Sequence, residues 1–122
     1  MRELIEARRR AAEEGRLLLQ ACAACGGVQA APRPFCSACG SERLAWRESG
    51  RRGRIAAVTL LSRAPTPAYK ALLPYAIALV DLAEGPRVMG HAAPELRVGT
   101  AVAGCFRRLG DRQLLYFERA EG

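Results

Sequence analysis

Histidine and lysine are almost missing from this 122-residue chain: His91 and Lys70 stand alone against eighteen arginines. With one histidine, no sequence-local catalytic arrangement can be drawn beyond a chance pairing of Cys105 with His91, and spacing cannot supply the geometry such a pair needs. Aromatic residues are scarce as well, seven in all, while twenty-three residues are alanine. Little bulky side chain is left to fill a core, so something besides burial must support part of the chain. No apolar run approaches a membrane span, and Met1 to Arg10 has neither the apolar segment nor the small-residue cleavage site of a secretory signal. The chain is therefore expected to be cytoplasmic, where thiols stay reduced, and its five cysteines read first as metal ligands or small buried groups. There is no phosphate-cradling glycine loop and no internal repeat. The length excludes a large enzyme and fits one ordinary domain or two very small modules.

What is present begins with charge. Nineteen cations against twelve acids leave a net +7, which suits an anionic partner: nucleic acid, a phosphate-bearing cofactor or an acidic protein face. The arginine bias suits bidentate phosphate recognition, but genome composition produces the same bias. Arg43, Arg47, Arg51, Arg52 and Arg54 form the densest basic stretch after the N-terminal segment, read either as an anion site or as a solvated hinge.

Residues 1–14 lack proline and glycine and place Glu6, Arg10 and Glu14 at helical spacing, so a helix ending at Gly15 is expected. Its apolar stripe, Leu4, Ile5, Ala11 and Ala12, is weak. The apolar run Leu17-Leu18-Leu19 then leads into a cysteine-rich stretch without periodicity. A polar, glycine-punctuated turn at 48–53 changes the composition, which divides the chain into a helix at 1–15, a small module at 16–47 and a β domain at 48–122.

In that last part, residues 54–62 read as a largely buried strand and 63–74, with three prolines, as a long loop. Residues 75–83 alternate large Tyr75, Ile77 and Leu79 with small Ala76 and Ala78, as in a small closed barrel with a tapering interior. Further strands are expected at 87–92, with Gly90 available for a bulge or corner, and at 100–107 and 113–118; Pro94-Glu95-Leu96 allows at most one helical turn. The fold class is therefore mainly β: an N-terminal helix, a small cysteine-rich ribbon and a five-stranded OB-fold barrel, with an SH3-like barrel as the alternative.

The ribbon follows from Cys22-Ala23-Ala24-Cys25-Gly26 and Cys36-Ser37-Ala38-Cys39-Gly40. Two residues between thiolates let a tight turn aim both sulfurs at one ion, and the following glycine permits the left-handed backbone the turn requires. Cys22, Cys25, Cys36 and Cys39 are thus the candidate ligands of a structural zinc, with no coordination position left open. Iron on the same four sulfurs and a pair of disulfides are the competing readings. Cys105, beside Phe106, reads as a small buried hydrophobe, and Asp81 and Glu84 as solvated carboxylates at a strand end and a turn.

These knuckles stand in a particular order with Leu19-Gln20-Ala21, Pro32-Arg33-Pro34-Phe35, Ala64-Pro65-Thr66-Pro67-Ala68-Tyr69, Pro74-Tyr75 and Val80-Asp81-Leu82-Ala83-Glu84-Gly85-Pro86. In this the chain resembles the small proteins that join a rubredoxin-like zinc ribbon to an OB-fold and accompany thiolases or related acyl-CoA enzymes. The resemblance runs from the helix to the last strand and departs at His91, where an amide or small residue would be expected. It implies a non-catalytic partner of a thiolase-like or acyltransferase protein that helps hold or channel acyl-CoA, the reactive thiol coming from that partner. Coenzyme A offers phosphates and an adenine, so Arg63, Tyr69 and Lys70 in the proline-rich loop are its candidate contacts. The alternative is a nucleic-acid-binding ribbon and barrel, disfavoured because base-stacking barrel faces need aromatics that residues 87–92 lack.

Overall fold

In the computed structural model, which describes residues 2–61, 75–109 and 111–120, helix α1 (Arg2–Glu13) precedes eight strands. Glu3 in its first turn and Arg10 in its last complement the helix dipole. Past the last turn, the amides of Glu14 and Gly15 return to the carbonyls of Ala11 and Ala12. As its weak stripe foretells, the helix buries only Ala11 fully. It rests on the chain's own strands, and Arg108 reaches Glu13 at 2.8 Å to tie it down.

Strands β1 (Leu18–Cys22), β2 (Val28–Gln29) and β3 (Leu44–Glu48) form an antiparallel sheet in the order β2-β1-β3. The polar turn expected after Trp46 follows β3, and there the chain crosses to the barrel. Arg51 stands at a φ of 59°, and its backbone and side chain both bond to Gly104: the Gly104 amide donates to the Arg51 carbonyl, and Arg51 Nε donates to the Gly104 carbonyl at 3.0 Å.

Strands β4 (Arg52–Leu61), β5 (Tyr75–Leu82), β6 (Arg87–Ala92), β7 (Ala101–Leu109) and β8 (Arg112–Arg119) close a barrel in the order β4-β5-β6-β8-β7. Arg52 to Arg54 of β4 pair with Ala101 to Ala103 of β7 to complete it, and β6 meets β8 in parallel. This is the five-stranded Greek-key barrel expected from the sequence. The alternation in β5 has a simple outcome: Ala76, Ala78, Val80 and Leu82 point inward, while Ile77 and Leu79 lie outside and half-buried. Small residues go inside because Phe117, wholly buried, already fills the interior.

Two local expectations are corrected. The 54–62 strand is not largely buried: of its residues within β4 only Ile55 is, and Leu60 is 59% exposed. The register shifts between Ile55 and Ala57, and beyond that point β4 pairs with β5 alone, so one edge leaves the barrel. Gly90 makes neither bulge nor corner, since Ala78 pairs with it in unbroken register. Instead it makes room, because a Cβ there would stand 2.9 Å from the Phe117 ring. Residues 93–100 hold two turns and no helix, with Leu96 buried against the barrel core. The 63–74 loop lies outside the described residues.

One core serves both sheets. Leu17 and Leu19, at the start of the ribbon, pack in the same cluster as Ile55, Val80, Val102 and Phe117 of the barrel. Glu84 secures the junction from the Glu-Gly-Pro turn, accepting hydrogen bonds from Ser49 Oγ at 3.2 Å and from the Gly50 amide at 2.8 Å.

Candidate metal centre

Each Cys-x-x-Cys-Gly segment folds as its spacing requires. The Gly26 amide donates to the Cys22 carbonyl at 2.9 Å and the Gly40 amide to the Cys36 carbonyl at 2.8 Å, and the two glycines take φ of 79° and 80°. Both are in the left-handed region that a Cβ would penalise. The two turns face each other, and all four sulfurs lie within 4.8 Å of one another.

The Cys22 and Cys39 sulfurs stand 3.7 Å apart, as do those of Cys25 and Cys36. That separation is far beyond a disulfide bond, and all five cysteines are free. It fits a tetrahedral zinc, because Zn–S bonds of about 2.3 Å place sulfurs about 3.8 Å apart. Amides also point at the sulfurs, with Gly27 N donating to Cys25 Sγ at 3.4 Å. The amide of Cys25, with that of Ala24, holds the Cys22 thiol down to about 6 against the opposing effect of burial. Cys36 is lowered in the same way, first by the Cys39 amide. The Ser41 amide also pulls on Cys39, but burial and the neighbouring sulfurs push that thiol up. Four sulfurs this close cannot all carry charge unless a cation joins them, which is the chemistry of a metal-thiolate site.

A pair of glutamines supports the centre, and the motif reading overlooked both. Gln20, 4% exposed on β1, accepts from the Arg33 amide at 2.9 Å and from Gln29 Nε2 at 2.8 Å, and donates to the Arg33 carbonyl at 2.9 Å. Gln29 accepts from the amide and hydroxyl of Ser37 inside the second knuckle. The first strand thereby grips the loop that carries Cys36 and Cys39. A polar residue inside an apolar strand was the available signal, since a buried amide needs partners. Gln20→Leu is expected to leave the Arg33 amide and carbonyl unpaired, costing about 1–3 kcal/mol. Competition titration with a chelator should show this as weaker zinc binding, and unchanged affinity would refute the supporting role.

The remaining candidates scatter. Arg63, Tyr69 and Lys70 lie outside the described residues. His91 and Cys105 both pair in register with Tyr116, from opposite sides of β8, so they stand two strands apart rather than within hydrogen-bonding reach. His91 stacks on Tyr75 with ring centres 5.3 Å apart, and burial lowers its pKa. Cys105 is half-buried on β7, less enclosed than a core residue; burial first and the Glu118 carboxylate next push its thiol up, away from a ready nucleophile. Asp81 is not merely solvated: Arg87 grips both its oxygens, at 2.7 and 3.2 Å, and lowers its pKa. The basic stretch is partly spent within the chain, Arg51 on Gly104 and Arg54 on the Gly99 carbonyl. Among the described residues no helix is long and apolar enough to cross a membrane.

A four-thiolate ribbon joined to a closed five-stranded barrel defines a zinc-ribbon and OB-fold protein. The chain belongs to the ChsH2 family: residues 9–45 match its rubredoxin-like zinc ribbon domain and residues 46–107 its C-terminal OB-fold domain. A solved structure described as the Ltp2-ChsH2(DUF35) aldolase is similar over 95% of this chain and 94% of its own, with 30% identity and a TM-score of 0.83. A protein of Thermomonospora curvata named as a probable enoyl-CoA hydratase alpha subunit is 34% identical over 75% of this chain. The chain spans 30% of that relative's length. A DUF35-family protein of unknown function from Sulfolobus solfataricus shares the fold at 14% identity, with a TM-score of 0.65, over 94% of this chain and 84% of its own.

Proposed function

We propose that this chain is a non-catalytic subunit that binds a thiolase-like or acyltransferase protein and helps bind or channel acyl-CoA, with a zinc that is structural. The likeness to the ChsH2 part of an aldolase assembly, over 95% of the chain, carries the reading. The enoyl-CoA name of the longer relative supports the acyl-CoA context. Four protein thiolates satisfy a tetrahedral zinc, so the ion would hold the knuckles together and contribute no reactive position. On this reading the ribbon (16–47) and the barrel (48–122) form one docking body, and Arg63, Tyr69 and Lys70 contact coenzyme A.

Purification of the tagged full chain from its host, at moderate salt with nuclease present, should recover a thiolase-like or acyltransferase protein by mass spectrometry. In the recovered complex, Arg63→Ala with Lys70→Ala should weaken acyl-CoA binding about tenfold or more, as loss of charge-assisted phosphate contacts does. Recovery of nucleic-acid-processing proteins alone, and only when nuclease is omitted, would overturn the reading. Unchanged acyl-CoA affinity would remove the loop residues from it.

A further inference from the structure

A groove of about 410 Å³ runs where α1, the ribbon loop and the outer face of the barrel meet. Its floor is apolar, built from Ala12, Leu17, Pro32, Phe106 and Leu115. Its rim carries two large apolar side chains in water, Ile5 at 51% exposure and Met89 at 66%. Every charged residue lining it is an arginine: Arg8, Arg9 and Arg16. Two of these already have anions within the chain, Arg9 with Glu6 at 3.1 Å and Arg16 with Glu14 at 2.6 Å and Glu48 at 3.6 Å. Arg8 has no hydrogen bond or ion pair among the described residues, although it is half-buried and burial lowers its pKa. A guanidinium that loses water without gaining a carboxylate is costly, and the cost falls when a partner brings the missing anion.

We propose that this groove is the docking surface for an acidic, apolar segment of the partner protein, whose Asp or Glu pairs with Arg8 while neighbouring apolar side chains cover Ile5, Met89 and the groove floor. The open rim favours a polypeptide over a small molecule, since small-ligand pockets enclose most of the ligand. Aliphatic and methionine side chains around one half-buried arginine have the composition of an interface centre, with the remaining arginines at its edge. The proposal rests on the accessory-subunit reading and adds the place and chemistry of the contact.

The test is photo-crosslinking in the host with p-benzoylphenylalanine placed in the full chain at Ile5, at Met89 and, outside the groove, at Val98. Ile5 and Met89 should both capture one polypeptide segment, with a carboxylate next to the captured apolar side chain, and Val98 should not. Arg8→Gln should lower the capture yield at least about tenfold, as loss of a desolvated charge pair does, and Arg9→Gln far less. Because Arg8 has no hydrogen bond or ion pair among the described residues, Arg8→Gln should not lower the melting temperature, which separates lost docking from lost folding. Absence of any captured polypeptide, capture of a second copy of this chain, a segment without a carboxylate, or full yield in Arg8→Gln would each overturn the proposal. Capture of a suitable segment from a protein that is neither thiolase-like nor an acyltransferase would uphold the groove and defeat the function proposed above.

Discussion

Zinc removal is expected to unfold the ribbon. Purified chain should carry about one colourless zinc, as a closed four-thiolate site implies; red colour would mean iron instead. Chelation, or Cys36→Ser at a position 3% exposed, should abolish stoichiometric metal and release β1, β2 and β3 to rapid hydrogen exchange. The effect is large because β2 and β3 have no fully buried residue, so the knuckles depend on the ion and the glutamine network rather than on apolar burial. Metal binding in such small ribbons supplies on the order of 10 kcal/mol. Leu17 and Leu19 belong to the shared core, so part of the loss should reach the barrel as a lower melting temperature. Acid should act in the same direction. The Cys22 contribution is complete above the ordinary thiol value of 9.0 and is lost as pH falls through about 6, so metal should leave on acidification and not on alkalinisation. Hydrogen exchange in the ribbon that stays slow after metal is gone would refute a metal-supported fold.

How much of this was legible in the sequence depends on the range of each signal. The two knuckles are local, since four residues and a glycine determine each turn, and spacing alone identified all four convergent sulfurs. The helix end at Gly15 and the 87–92 strand were equally local. The burial of β4 was misread because its composition is apolar while its neighbours are assigned by topology: the closing partner β7 covers only Arg52 to Arg54. Composition cannot say where a partner strand stops. The glutamine network and the Glu84 clamp escaped for a related reason, since their partners stand thirteen and thirty-four residues away along the chain. Arg8 is unremarkable as one arginine among three in succession, and only the approach of the barrel to the helix half-buries it while Arg9 and Arg10 stay exposed. The groove is therefore a product of tertiary packing with no local motif.

The centre of the barrel should tolerate change least. Phe117→Ala is expected to cost about 3–5 kcal/mol, the usual consequence of emptying an aromatic site in a packed core. In a domain with so few large side chains this is a substantial part of the total stability. The two glycines flanking the ring give the complementary prediction. A Cβ at Gly90 would stand 2.9 Å from one edge of the Phe117 ring and 3.1 Å from the Leu115 carbonyl, and a Cβ at Gly104 would stand 3.0 Å from the ring's other edge. Neither glycine has a positive φ, so the penalty of Gly90→Ala or Gly104→Ala comes from crowding and not from backbone strain. Overpacking of this kind costs about 1–3 kcal/mol. Because the ring is the nearest neighbour in both clashes, replacing it should relieve part of each: Gly90→Ala combined with Phe117→Leu should be less destabilised than the sum of the single variants. Denaturant unfolding of the four proteins measures that coupling directly, and 0.5 kcal/mol or more is about the size expected for residues in contact. Strict additivity would mean that the ring does not set the barrel's width, and the small residues facing inward along β5 would then need another cause.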